Sequence, residues 1–167
     1  MLVLFMPVCW ASCNTDGPAG HSVLFTYNAS DGVRSLDPGK ATDLESMWVV
    51  DQLYEGLLEL DAQLEIQPAL ADAWSVSDDG LTYAFRLRPE ATFHNGAQVT
   101  AADVEASFNR LRDAGEALPG RWVLHDLQPD GITVFGRDSL QLHLSRPQPV
   151  FPGLLATPHA SIVFQGG

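Results

Sequence analysis

Alternation is clearest in "LTYAFRLR" (81–88). Leu81, Tyr83, Phe85 and Leu87 fall on one face and Thr82, Arg86 and Arg88 on the other, the period of a half-buried strand. "ITVFGRDSLQLHLSRP" (132–147) repeats the pattern at Leu140, Leu142 and Leu144 and predicts two strands joined at Gly136–Asp138. Helical spacing takes over at Val104, Phe108 and Leu111. Thr100 precedes that face as a cap, with Asp103 three residues on completing a capping box, so a helix is expected near 100–112. Leu44, Met47, Val50 and Leu53-Tyr54 mark a second amphipathic helix near 42–54, capped by Thr42 or Asp43 and stopped by Gly56. Shorter extended pieces are expected at "SVLFTY" (22–27), at "LLELD" and "LEIQPAL" about Asp61-Ala62, and at a closing "SIVF". "PVFPGLLATP" reads as a short proline-led helix, while "RWVLHDLQ" follows neither period. Asn95-Gly96 and "SDDG" are turns. Irregular alternation of strands and helices, without repeats, places the chain in the α/β or α+β class.

Composition narrows the function classes. With 167 residues, 46% hydrophobic and 18% charged, the chain has enough apolar surface for a folded core. Asp and Glu number 21 against 9 Lys and Arg, for a formal charge of −12. No basic cluster offers itself to phosphates, so nucleic acid and anionic membrane surfaces are poor partners. Residues 1–13, "MLVLFMPVCWASC", are apolar and uncharged, too short to span a bilayer and similar to the apolar region of a secretory signal. Residues 14–21 form a polar, turn-rich linker, leaving 22–167 as the folded body. Both cysteines lie in the leading segment, so the body offers no disulfide and no thiol chemistry.

Catalytic and cofactor signatures are missing. The histidines His21, His94, His125, His143 and His159 form no HExxH pair, and no cysteine ligand spacing exists. There is no GxSxG elbow and no glycine-rich phosphate loop. The sequence therefore predicts no enzyme, no metal site and no cofactor. Trp48 and Trp74, in apolar helix and loop contexts, are expected in the core, as are Tyr54 and Phe108 on buried helix faces.

Three segments in order carry a family resemblance: "LDPGKATDLESMWVVDQLYEGLLELD", "PALADAWSVSDDGLTYAFRLRPEATFHNGAQVTAADVEASFNRL" and "DSLQLHLSRPQPVFPGLLA". Together they resemble the extracellular solute-binding proteins of family 5, the peptide-binding components of ABC importers, across about Val23 to Val163. The resemblance implies an α/β fold of the periplasmic-binding-protein type II kind. Only the first lobe is represented, since family members are much longer and the chain resembles an amino-terminal fragment. It implies capture of peptides for uptake, ABC permease subunits as membrane partners, and a monomer. Nickel complexes, haem and sugars are other solutes of such proteins. A secreted interaction lobe without solute binding is the rival expectation.

The resemblance also supplies candidate residues. In the family the loop after the first strand borders the cleft, which points to Gly32, Val33 and Arg34, whose backbone can pair with an extended peptide. An ordinary strand-to-helix loop is the competing reading. Trp122 lies where the family often places an aromatic over the ligand, with lobe or core packing as its alternative. Ala11 and Ser12 before Cys13 resemble a bacterial lipobox, although Trp10 departs from its aliphatic preference. Acylation of Cys13 would anchor the chain in the periplasm or on the outer cell surface.

Overall fold

The computed structural model describes residues 32–113, 115 and 117–165. The signal and lipobox segment with Cys13, the linker 14–21 and the expected strand at 22–27 lie outside the described residues. After an irregular entry the chain forms α1 (Leu44–Leu53), the hairpin β1 (Leu58–Leu60) and β2 (Ile66–Pro68), then β3 (Ala71–Val76) and β4 (Thr82–Leu87). Next come α2 (Ala101–Arg112), a 3-10 segment (Pro119–Leu124), β5 (Leu127–Phe135), β6 (Ser139–Leu144), α3 (Phe151–Leu155) and a 3-10 turn (Pro158–Ala160). Among the described residues, no helix is long and apolar enough to cross a membrane.

The last four strands build an antiparallel sheet in the order β3-β4-β6-β5. Registers Tyr83↔Leu142 and Phe85↔Leu140 put the alternating apolar residues of the two central strands on one face. Trp74, opposite Phe85, and Val134, opposite Leu140, extend that face to the edge strands. The other face keeps Thr82 beside His143, with Oγ1 and Nδ1 3.2 Å apart. Against the apolar face pack Val104, Phe108 and Leu111 of α2, Val123 and Leu124 of the 3-10 segment, and Phe151 and Leu155 of α3. Tyr83 meets Phe151 edge-on at 5.1 Å, and its hydroxyl donates to the Gln148 carbonyl at 3.0 Å. A ring with one polar handle thus closes the core without an unsatisfied hydroxyl.

Local chemistry sets the element ends. The capping box forms as the sequence predicts: the Thr100 N–H donates to Asp103 Oδ2 at 2.8 Å, and the Asp103 N–H reaches back to Thr100 Oγ1. Asp43, rather than Thr42, caps α1, accepting from the Ser46 N–H at 2.9 Å. The Asn95-Gly96 turn has Gly96 at φ +83, a conformation that costs glycine nothing.

Three expectations are corrected. "SIVF" is not a strand: 161–165 run without a ladder, held by the Ile162 N–H to the Glu55 carbonyl and the Val163 N–H to Ser107 Oγ. Trp74 lies on a strand rather than in a loop, and packs half-buried against the core. The apolar stripe of α1 is largely outward: Leu44 is 56% and Trp48 52% exposed, so Trp48 is not a core residue, and of this helix only Ser46 and Val50 are buried. Tyr54 follows the helix as its half-buried C-cap, whereas Phe108 is fully buried as expected.

Candidate solute-facing surface

Gly32, Val33 and Arg34 enter the fold as exposed, irregular chain, with Gly32 at φ +73. What holds the end of this loop is Ser46, a fully buried hydroxyl on α1. Its Oγ accepts from the Arg34 N–H at 3.0 Å and the Ser35 N–H at 3.1 Å. The same residue's N–H, the largest influence on the Asp43 carboxyl, holds it below its ordinary value, and the charge of Arg34 adds to the effect. One serine therefore joins the loop to the helix start. Serine is a poor helix former, so its position inside an otherwise apolar stripe reflects this loop contact rather than propensity.

Downstream, the chain turns at Asp37–Ala41 and is clamped to α2. Arg110 donates through Nη1 to Asp37 Oδ1 at 3.1 Å and through Nη2 to Oδ2 at 2.6 Å, a two-pronged charge-assisted pair. The Gly39 N–H adds a bond to Asp37 Oδ1 at 3.0 Å. Burial by itself would raise the Asp37 carboxyl, but the Arg110 guanidinium outweighs it and leaves the group below its ordinary value.

From this turn the connection passes to Trp122. The Gly39 carbonyl accepts from the Gly120 N–H at 3.0 Å, which pins the 3-10 segment to the turn. Trp122 stands out from that segment 52% exposed, against the reading of a core tryptophan. The two predicted elements, the loop 32–34 and Trp122, are thus set on the same clamped turn, one before it and one after. Neither lines any of three concavities formed by the described residues, the roomiest of which is a cleft beside α1. That cleft, about 770 Å³, is bordered by Asp51, Tyr54, Phe93, His94, Ile162 and Phe164 among others, with Phe93 and Phe164 in ring contact at 5.2 Å. Ser46 and Asp37 lie inside the first family-like segment and Gly120 outside all three, but nothing in the sequence pairs any of them with its contact.

The surface offers exposed backbone, an exposed aromatic plate and the cation of Arg34. It holds no nucleophile with a base beside it. Among the described residues, no three or more His, Cys, Asp or Glu side chains are grouped to hold a metal ion. Such a surface suits recognition of a chain-like solute through backbone hydrogen bonds and stacking.

Comparison with known proteins places the chain in a family. The sequence model described as "Bacterial extracellular solute-binding proteins, family 5 Middle" matches residues 65–167. The probable deoxycholate-binding periplasmic protein YgiS of Escherichia coli K12 is 28% identical over 172 residues, covering 94% of this chain and 32% of its own. The glutathione-binding protein GsiB of Escherichia coli K12 is 30% identical over 129 residues, 77% of this chain and 25% of its own. Among solved structures, OppA of Listeria monocytogenes bound to peptide superposes with a TM-score of 0.76 at 28% identity, covering 80% of this chain and 29% of that one. The chain spans between about a quarter and a third of the length of these relatives.

Proposed function

Because the chain belongs to the bacterial extracellular solute-binding proteins of family 5, we propose that it supplies one wall of a binding site for short peptides captured for import. The carrying observation is the exposed backbone at Gly32–Arg34, locked to α1 by Ser46, with Trp122 exposed beyond the same turn. Extended backbone accepts a peptide as an added strand and gives affinity with little sequence preference. Trp122 stacks on the solute, and Arg34 attracts its carboxylates. The glutathione bound by GsiB and the peptide bound to OppA support this solute class. YgiS, whose name gives deoxycholate, supports an amphipathic acid as the second reading. The chain acts in the periplasm or on the outer surface through ABC permease subunits, as a monomer, without catalysis. Residues 1–13 are its export segment, 14–21 a linker and 22–167 the solute-binding portion, with Cys13 the lipid anchor.

Two experiments test this. The first adds glutathione, a tripeptide pool or deoxycholate to the isotopically labelled chain. Amide resonances of Gly32, Val33 and Arg34 and the Trp122 indole are expected to move with the tripeptides and glutathione at millimolar concentration. If none moves by about 10 mM, tenfold above a millimolar Kd, the peptide reading is lost. Movement with deoxycholate alone selects the second reading. The other experiment expresses the chain behind a working export signal in a bacterium fed labelled palmitate. Label is expected in the chain and absent from Cys13→Ser, and label retained by that variant removes the anchor.

A further inference from the structure

Trp122 is half-exposed on a short 3-10 segment, where a large side chain has several rotamers open to it unless something holds it. What holds it is His159. The imidazole, carried on the 3-10 turn Pro158–Ala160, meets the indole with ring centroids 6.0 Å apart and planes inclined at 64°, an edge-to-face arrangement.

The imidazole can stand there only because residue 120 is glycine. A Cβ on Gly120 would fall 2.9 Å from His159 Cγ, closer than real Cβ atoms approach, and a tight 3.0 Å from its Cβ. The ring also hydrogen-bonds with the Ala41 backbone. Gly120 in turn donates to Gly39, so the turn 37–41, the 3-10 segment and the 158–160 turn converge behind one exposed indole. Burial lowers the His159 imidazole below its ordinary value, against the opposing Ala41 hydrogen bond, and so favours the neutral ring.

We infer that His159 is a positioning residue for the solute site: it backs the indole of Trp122 so that the free side of the plate is presented outward, and Gly120 is the gap that admits it. The inference rests on the solute-wall reading of Trp122 and adds to it the residues that orient the plate. A pre-oriented plate spares the ordering cost of an interface side chain, about 0.5–1.5 kcal/mol, which is roughly twofold to tenfold in affinity.

The experiment uses the full chain labelled with 5-fluorotryptophan, the Trp122 signal being assigned by its loss in Trp122→Phe. His159→Leu fills the volume without a ring, and Gly120→Ala closes the gap. Both are expected to move the Trp122 fluorine signal toward its solvent-exposed position, while Trp48 and Trp74 stay in place and report an intact fold. His159→Phe restores a ring edge and is expected to return the signal toward that of the parent. A packing residue of no positional role would accept leucine as well as phenylalanine. An unmoved Trp122 signal in both His159→Leu and Gly120→Ala overturns the inference. Should those variants fail to fold, the parent chain decides: cross-relaxation between His159 and Trp122 ring protons is required, and its absence overturns the inference too. Glutathione and trialanine are then titrated into each folded chain, with an apparent affinity about twofold to tenfold weaker expected for His159→Leu. A Trp122 signal that answers the titrant but ignores His159 sinks the positioning role alone. One that follows His159 but never answers a titrant sinks the solute-wall reading, and the purpose given to His159 with it.

Discussion

Asp37 does more for the candidate surface than any side chain that would touch a solute. Its carboxylate receives both prongs of Arg110, the Gly39 N–H and, at 3.6 Å, Lys40. Both partners of the Arg110 pair are about three-quarters buried, which keeps the interaction from being screened away as an exposed pair would be. Asp37→Asn removes the charge from this two-pronged pair and is expected to cost about 2 kcal/mol at neutral pH by urea unfolding. The folded-state pKa of Asp37 is lowered, so its contribution is complete above the ordinary carboxylate range and disappears as pH falls through the lowered value. The gap between parent and variant is therefore expected to narrow from pH 5 toward about pH 2, and a constant gap would contradict the assignment. Ser46 gives a more local signal. In Ser46→Ala the amides of Arg34 and Ser35 lose their acceptor, and their hydrogen exchange is expected to accelerate well ahead of the amides in β4 and β6. Equal protection in the two proteins would show that the loop is held elsewhere. Neither role was legible in the sequence, because each depends on a partner eleven or more residues away that no periodicity marks.

At the scale of elements, legibility follows the strength of the period. The helix α2 and the strands β4 and β6 have regular patterns bounded by strong caps and turns, and they form as expected. The edge strand β3 was missed because "ADAWSV" has only Ala71 buried and Trp74 half-buried, and a bulge between Ala71 and Ala73 breaks its alternation. "SIVF" fails in the opposite way: β-branched residues at 162 and 163 mark extended chain, but no neighbouring strand pairs with it among the described residues. The stripe on α1 shows that a helical period identifies an apolar face without saying what covers it. Val50 is buried, while Leu44 and Trp48 on neighbouring turns are not. Two substitutions calibrate the well-read helix. Thr100→Ala removes half of the capping box and is expected to destabilise by about 1 kcal/mol. Phe108→Ala opens the core between α2 and the sheet and is expected to cost about 3–5 kcal/mol. Thermal unfolding should rank them in that order, and the reverse order would mean that α2 is not seated on the sheet through Phe108.

For the whole molecule, the open question is how tightly this chain can hold a solute by itself. The candidates Gly32–Arg34 and Trp122 come from what the family resemblance implies, whereas His159 and Gly120 come from contacts only the folded chain creates. That surface is a wall. Gly32, Val33, Arg34 and Trp122 are all exposed, and none lines one of the three main concavities. Small-molecule sites typically bury about 70–90% of the ligand, and a single wall leaves the outer side of a peptide in water. Backbone pairing along 32–34 satisfies one edge of an extended peptide, while the opposite edge and both termini keep their hydration. If a complete site of micromolar affinity is worth roughly 8 kcal/mol, half of its contacts leave about 4 kcal/mol, which corresponds to a millimolar Kd. The attraction of Arg34 for a solute carboxylate adds little, because an ion pair between exposed groups in water is worth only about 0–1 kcal/mol. Calorimetric titration of the 167-residue chain with a pool of tri- to pentapeptides is therefore expected to give no heat of binding at micromolar concentrations. The resonance shifts at Gly32–Arg34 are expected to saturate only in the millimolar range. Micromolar binding of any peptide would mean that the cleft beside Phe93 and Phe164, rather than the wall at Trp122, holds a complete site, and the assignment of the solute surface would move there.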